Sequence, residues 1–349
     1  MRSKHWGVGA LAGAAVLFGI IIGGNAPALA GSDRATDTYA GDYEGGSLPT
    51  GTFAVLQYLR YVSCDAFIDT TGQQLPNSHA NILVEFTRLA YLTSLGGHPF
   101  AMEGDIPFAT VTDVNIPGTN NRVAGGLVDP DLHLTYFIIA DQNVQRWLGI
   151  TNFFFLPLGR SFDNQATVNV STARQFTDAL QVGYTEGLGK LSPPLNGVFF
   201  DLIAHASFHT GGNSPIMVLN PPSATVPSVL TYDNLTQDPS YNVQAFLRYE
   251  PKPLQFVAIG IEKSWEGKQT AIDGTFAATG LPISLPLADL PLSKDDFLRG
   301  HFQFQVPITQ DFAISGDVYH DFAAVGGLRE NIGVEIRMVK VFLPSGPAK

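Results

Sequence analysis

The stretch Leu298-Arg299-Gly300-His301-Phe302-Gln303-Phe304-Gln305-Val306 decides the fold. Leu298, Phe302, Phe304 and Val306 share one parity; Arg299, His301, Gln303 and Gln305 share the other. Successive side chains of a strand point to opposite faces, so this segment has one apolar and one wet face. The pattern recurs along the chain. Ile332, Val334, Ile336 and Met338 alternate with Asn331, Gly333, Glu335 and Arg337. Tyr241, Val243, Ala245, Leu247 and Tyr249 alternate with Asn242, Gln244 and Arg248. Phe312, Ile314 and Val318 alternate with Asp311, Ser315 and Asp317. Val198, Phe200, Leu202, Ala204, Ala206 and Phe208 alternate with Asp201, His205, Ser207 and His209, and Leu180, Val182 and Tyr184 with Gln181 and Thr185.

Extending this reading predicts twelve strands, at 53–62, 80–94, 98–112, 131–141, 146–157, 178–190, 196–209, 241–250, 254–266, 298–308, 311–322 and 331–342. The connections after even strands are short and carry Gly96-Gly97, Asp141-Gln142-Asn143, Ser192-Pro193-Pro194, Pro251-Lys252-Pro253 and Thr309-Gln310. Those after odd strands are mostly long: 63–79, 113–130, 158–177, 210–240, 267–297 and a shorter 323–330. A soluble sandwich has no reason to segregate short and long connections to opposite ends. An outer-membrane barrel does, with short periplasmic turns, long external loops and an even strand number.

Composition agrees. Charged residues are 15% of the 349, against about 25% in typical soluble domains. Yet after the first thirty residues no window offers the roughly 18 consecutive apolar residues of a membrane helix. A helix bundle is excluded, and a chain that is apolar without apolar runs fits a barrel whose lipid and lumen faces alternate. The expected fold class is therefore all-β: an antiparallel up-and-down transmembrane β-barrel of about twelve strands over 53–342. Tyr58, Tyr61, Tyr91, Trp147, Phe153 to Phe155, Tyr241, Tyr249, Trp265, Tyr319 and Phe342 fall near strand ends, where aromatic girdles belong.

Residues 1–30 read as a secretory signal peptide: Arg2 and Lys4, an apolar stretch from Trp6 to about Gly24, then Ala28-Leu29-Ala30 as the cleavage site. The apolar stretch is long enough to serve instead as an uncleaved anchor, but the small residues at the cleavage site favour removal. The Gly-, Asp- and Ser-rich segment 31–52 is expected to be an exposed lead-in, and 343–349 a C-terminal tail. The formal charge of −11 repels phosphate backbones and excludes nucleic acid as a partner. The single cysteine, Cys64, allows no internal disulfide and no cysteine-rich zinc motif.

No nucleophile elbow, phosphate-binding loop, dinucleotide fingerprint or His-Glu-x-x-His motif occurs, so neither a catalytic centre nor a cofactor is expected. Asp201, His205 and His209 would share a helix face as metal ligands. On the strand that their alternation implies, i to i+4 spans about 13 Å, too far for one ion. They read instead as luminal polar residues, and no metal is expected. The pore-lining candidates are Asp201, His205, Gln244, Arg248, Arg299, His301, Gln303, Gln305, Asp317, Glu335 and Arg337. Those of the last three strands would form a patch of opposite charges, either setting selectivity or bracing the wall as an ion-pair ladder.

The chain also resembles the family named for the meta-pathway of phenol degradation, outer-membrane barrels related to hydrophobic-compound transporters. Gly41-Asp42-Tyr43-Glu44-Gly45-Gly46 resembles the family's N-terminal opening, with Glu44 where the family has proline. Gly125-Gly126-Leu127-Val128-Asp129-Pro130 resembles its central Gly-x-x-Asp-Pro element. Phe155-Leu156-Pro157-Leu158-Gly159-Arg160-Ser161-Phe162-Asp163 resembles its aromatic-Leu-Pro-x-Gly segment, although Ser171 to Phe176 departs from the pattern that follows it. The resemblance runs from about 41 to 342 and implies uptake or efflux of small hydrophobic or aromatic molecules. Twelve strands suit a narrow or partly occluded lumen, between the filled eight-stranded and open sixteen-stranded barrels. The expectation is a Gram-negative outer-membrane channel for passive passage of such solutes. Its partners would be outer-membrane lipid, the solute and the barrel-assembly machinery. The alternatives are a structural or adhesive outer-membrane barrel without transport, and a soluble periplasmic β-sandwich that binds a ligand.

Overall fold

The structure, a computed structural model, describes residues 38–68, 72–115, 125–159, 175–218, 228–267, 269–276, 282–283 and 296–344. The signal peptide, most of the C-terminal tail, the segment 160–174 and the apolar run 284–292 lie outside the described residues.

Twelve strands build the wall: β1 (Phe53–Ile68), β2 (His79–Leu95), β3 (His98–Asn115), β4 (Asp131–Asp141), β5 (Arg146–Phe155), β6 (Thr177–Gly187), β7 (Val198–His209), β8 (Ser240–Lys252), β9 (Gln255–Trp265), β10 (Asp296–Pro307), β11 (Phe312–Val325) and β12 (Gly327–Phe342). Each pairs antiparallel with the next, and β1 pairs with β12 from Phe53↔Phe342 to Ile68↔Gly327, so the sheet closes with no free edge. Closure gives every wall strand a hydrogen-bonded neighbour on both sides, which a strand in lipid requires. The expected fold class is the observed one.

Alternation sets the two faces. Leu59, Leu89, Ile106, Leu134, Leu247, Ile259, Phe302, Val318 and Ile336 are exposed on the outside. Their neighbours in sequence, among them Ala258, Gln303, Asp317, Glu335 and Arg337, are buried inside. In water such an apolar belt would be a liability; in a bilayer it is the solvent-matched surface. The β2–β3 turn shows why the short end is tight: Gly96 and Gly97 both have positive φ, 61° and 86°, the mirror-image turn that two glycines permit in a two-residue hairpin.

The strand boundaries differ from expectation at a few ends. β1 continues to Ile68, and β11 and β12 run to a turn at Gly326, so the expected loop 323–330 is mostly strand. After β6 the chain forms two short 3-10 turns, Leu188–Lys190 and Pro193–Leu195. The long connections 210–240 and 267–297 are not irregular loops. Gly212–Val218, Ser228–Gln237, Gln269–Phe276 and Pro282–Ile283 form a separate four-stranded antiparallel sheet. Its central pairing joins two connections about forty residues apart in sequence, so a period count within either one misses it. The aromatic girdle is also only half as expected. Tyr61, Tyr91, Tyr241, Tyr249, Trp265 and Phe342 face outward, whereas Tyr58, Trp147, Phe153, Phe155 and Tyr319 are buried inside. Their parity puts them there, and a lumen of this width needs large side chains to fill it.

Candidate functional site

The lumen is occupied by the chain's own N-terminal segment. This corrects the expectation of an exposed lead-in, at least for 38–47. Tyr39, Ala40, Tyr43 and Gly46 are buried, and Asp42–Ser47 forms a 3-10 helix inside the barrel. The segment leaves toward the short-turn end, where Gly51 N–H donates to the Leu92 carbonyl and Leu92 N–H to that of Thr52, feeding directly into β1.

Several polar groups of this segment meet wall residues. Ala40 N–H donates to Gln303 Oε1 at 2.9 Å and Gly41 N–H to Asp201 Oδ1 at 3.2 Å. Arg337 Nη1 donates to Asp42 Oδ1 at 2.7 Å. The Tyr43 hydroxyl lies 3.0 Å from Thr151 Oγ1 and accepts from Gln181 Nε2 at 3.0 Å. Trp147 Nε1 donates to Ser47 Oγ at 2.6 Å. Two glycines make room for the Tyr43 ring. A Cβ on Gly149 would stand 2.7 Å from it, and one on Gly183 would fall within the ring itself. Alanine at either place is incompatible with the docked ring.

All eleven predicted pore-lining residues face inward, and ten of them fall into two groups. Arg248 is the hub of the first. It is 1% exposed, contacts the carboxylates of Glu44, Glu250 and Asp201, and lies over Phe199 at 4.4 Å. Asp201 also accepts from Thr185 Oγ1 at 2.6 Å. The second group is a ladder on β8 to β12 and β1. His301 bridges Asp317 (2.9 Å) and Glu262 (3.0 Å), while Arg299 binds Asp321 (2.7 Å) and Glu330 (2.9 Å). Arg60 binds Glu335 at 2.7 Å. Gln303 donates to Asp317, Gln244 to Glu262, and Arg337 and Ser315 to Gln305. Buried charges of this kind persist because each is paired and hydrogen-bonded. His205 stands apart, bonded to Ser207 at 2.9 Å. Asp201, His205 and His209 keep separate partners, as expected of residues strung along a strand; His209 meets Thr177 and Ser240.

Between the segment and the short-turn end lies a cavity of about 500 Å³. Its wall is largely apolar, with Leu92, Phe137, Trp147, Phe256, Val339 and Leu343 among its residues. At the other end of β4, Asp129 accepts from Gly159 N–H at 2.7 Å, and burial pushes its carboxyl up to about 6 despite that bond. The turn-rich Asp129-Pro130 element thus pins one loop onto another.

Three things escaped the sequence reading. The first is the inward fold of 38–47, whose Gly- and Asp-rich composition looks like surface chain. The second is Glu262 and Arg60 as ladder members. The third is a buried trio, Asp105, Asp131 and His133, with Arg88 beside it. Asp131 and His133 are two apart on a strand and so share a face, the one local signal that could have found them.

No protein-family model matches the chain, and no curated protein does. Solved structures do. A COG4313 outer membrane channel from Pseudomonas putida F1 superposes with a TM-score of 0.67 at 19% identity, over 88% of this chain and 100% of that one. The toluene transporter TodX of P. putida matches more loosely, with a TM-score of 0.42 and 10% identity over 87% of this chain and 93% of that one. The first likeness is one of fold: this chain has the barrel architecture of an outer-membrane channel.

Proposed function

We propose that the protein is an outer-membrane channel through which small, uncharged hydrophobic or aromatic solutes pass passively. The observation that carries this reading is the apolar-walled cavity of about 500 Å³ inside a closed, lipid-faced barrel. The buried charges of the wall are largely matched against one another. An ion crossing the lumen would therefore exchange its hydration for few free partners, whereas an apolar solute loses nothing by leaving water. The segment 38–47 narrows the lumen, so flux requires it to shift or leaves only a path beside it. The likeness to a channel fold and the sequence resemblance support the reading. No chemistry is assigned to the lumen, and no enzyme activity is proposed.

Export by a signal peptide cleaved after Ala30 and insertion by the barrel-assembly machinery belong to the same proposal. N-terminal sequencing of the mature protein and the boiling-dependent mobility of outer-membrane fractions on cold SDS gels test them. The function is tested by uptake of phenol, toluene or alkanes in deletion and complemented strains, with conductance in planar bilayers. Loss and restoration of uptake is the expected result. Unchanged uptake together with a silent bilayer would leave a structural or adhesive barrel.

A further inference from the structure

The β3–β4 seam is the weakest in the wall. Its ladder holds six registered pairs, from Phe100↔Tyr136 to Asp105↔Asp131. Every other seam of the barrel has at least eight, the next shortest being Phe312 to Tyr319 on β11 against β12. On its β4-facing side, β3 beyond Asp105 pairs, among the described residues, only with the short stretch Gly125–Leu127, while its other side stays paired with β2 as far as Asn115.

The buried trio sits at the end of that seam. Asp105 on β3 and Asp131 and His133 on β4 place their donor atoms within 4.8 Å of one another. His133 Nε2 is 3.3 Å from Asp105 Oδ2 and in closer contact with Asp131 Oδ1. The three residues are 3%, 3% and 2% exposed. Asp131 Oδ1 and His133 Nε2 face each other, but neither makes a hydrogen bond of acceptable geometry. Arg88 grips Asp105 through both oxygens, at 2.9 Å and 2.8 Å, which fixes that carboxylate from behind. His133 and Glu103 line the cavity, giving an ion a way in, and Glu103 is the register partner of His133.

We propose that Asp105, Asp131 and His133 form a divalent transition-metal site that clasps β3 to β4 where their ladder ends. Two carboxylate oxygens and one imidazole nitrogen suit Zn²⁺ best. They would be three protein ligands with a fourth position open to water, and one nitrogen with so few oxygens argues against Mg²⁺ and Ca²⁺. Arg88 plays the orienting part that outer partners of metal-bound carboxylates play. The site is independent of what the channel carries.

The test is calorimetric titration of Zn²⁺ into the untagged, metal-free full chain in detergent. It is run in a His79→Ala background to remove the exposed His79–Asp113 pair. One equivalent is expected, with the affinity falling at least a hundredfold in Asp131→Asn and in His133→Gln. Zn²⁺ should also raise the temperature at which the folded band disappears on cold SDS gels, in the parent but in neither variant. Absence of stoichiometric binding, or binding that survives in a folded Asp131→Asn protein, overturns the proposal. Should neither variant fold, Co²⁺ loaded into the parent decides. An intense tetrahedral visible spectrum supports the site, and the weak spectrum of hydrated Co²⁺ overturns it.

Discussion

Replacing Gly183 by alanine evicts the luminal segment without altering one of its residues. The added methyl falls inside the Tyr43 ring, while Gly183 lies mid-strand with an ordinary φ, so the wall itself accepts alanine. Tyr43 then loses its bonds to Thr151 and Gln181, at about 1 kcal/mol each, and the burial of its ring, worth roughly 2 kcal/mol. The total of about 4 kcal/mol is an upper bound and corresponds to a docked-to-undocked ratio lowered by roughly a thousandfold. Two assays follow the segment. Conductance in planar bilayers should rise, with longer open periods. Trp147 emission should shift to the red, because its indole loses Ser47 and gains water; a Trp265→Phe background removes the outward-facing indole. Identical conductance and emission in a folded Gly183→Ala protein would refute the docked segment as the constriction. A rise that persists undiminished in a Tyr43→Ala background would place the effect in the wall, since alanine at 183 should add nothing once the ring is gone.

Other consequences follow from the same geometry. Arg248→Ala strands Asp201, Glu44 and Glu250 without their cation and should cost about 3–5 kcal/mol. Arg248→Lys should recover only part of this, because a point charge cannot serve three carboxylates at once; urea unfolding in lipid vesicles measures both. Ile259→Arg, on the most exposed outward position of β9, should cost about 2–4 kcal/mol in the same assay if it lies near the bilayer midplane. The change Ala258→Ser at its inward-facing sequence neighbour should cost far less. Asp129 has a folded-state pKa raised by burial to about 6. Its contribution is therefore fully present below about pH 4 and is lost as pH rises through 6. The thermal midpoint of the wild type should fall across that window relative to Asp129→Asn, and parallel profiles would dismiss the effect.

The sequence by itself determined the barrel's strand count, the parity of the six strands whose alternation is cleanest, and the segregation of short turns from long connections. These are local properties: a period of two residues or a Gly96-Gly97 turn is written in adjacent positions. It also placed Arg248, Arg299, Gln303 and Glu335 inside. It could not pair them, because partners such as Arg60 and Glu335 are far apart in the chain and meet only when β1 closes onto β12. The same limit hid the docking of Tyr43 between Gly149 and Gly183, the Asp105–Asp131–His133 trio, and the second sheet. Gly-rich chain reads as surface until a lumen exists to receive it. Inside a barrel every strand converges on one axis, so the contents of the lumen are set by closure and by nothing shorter in range.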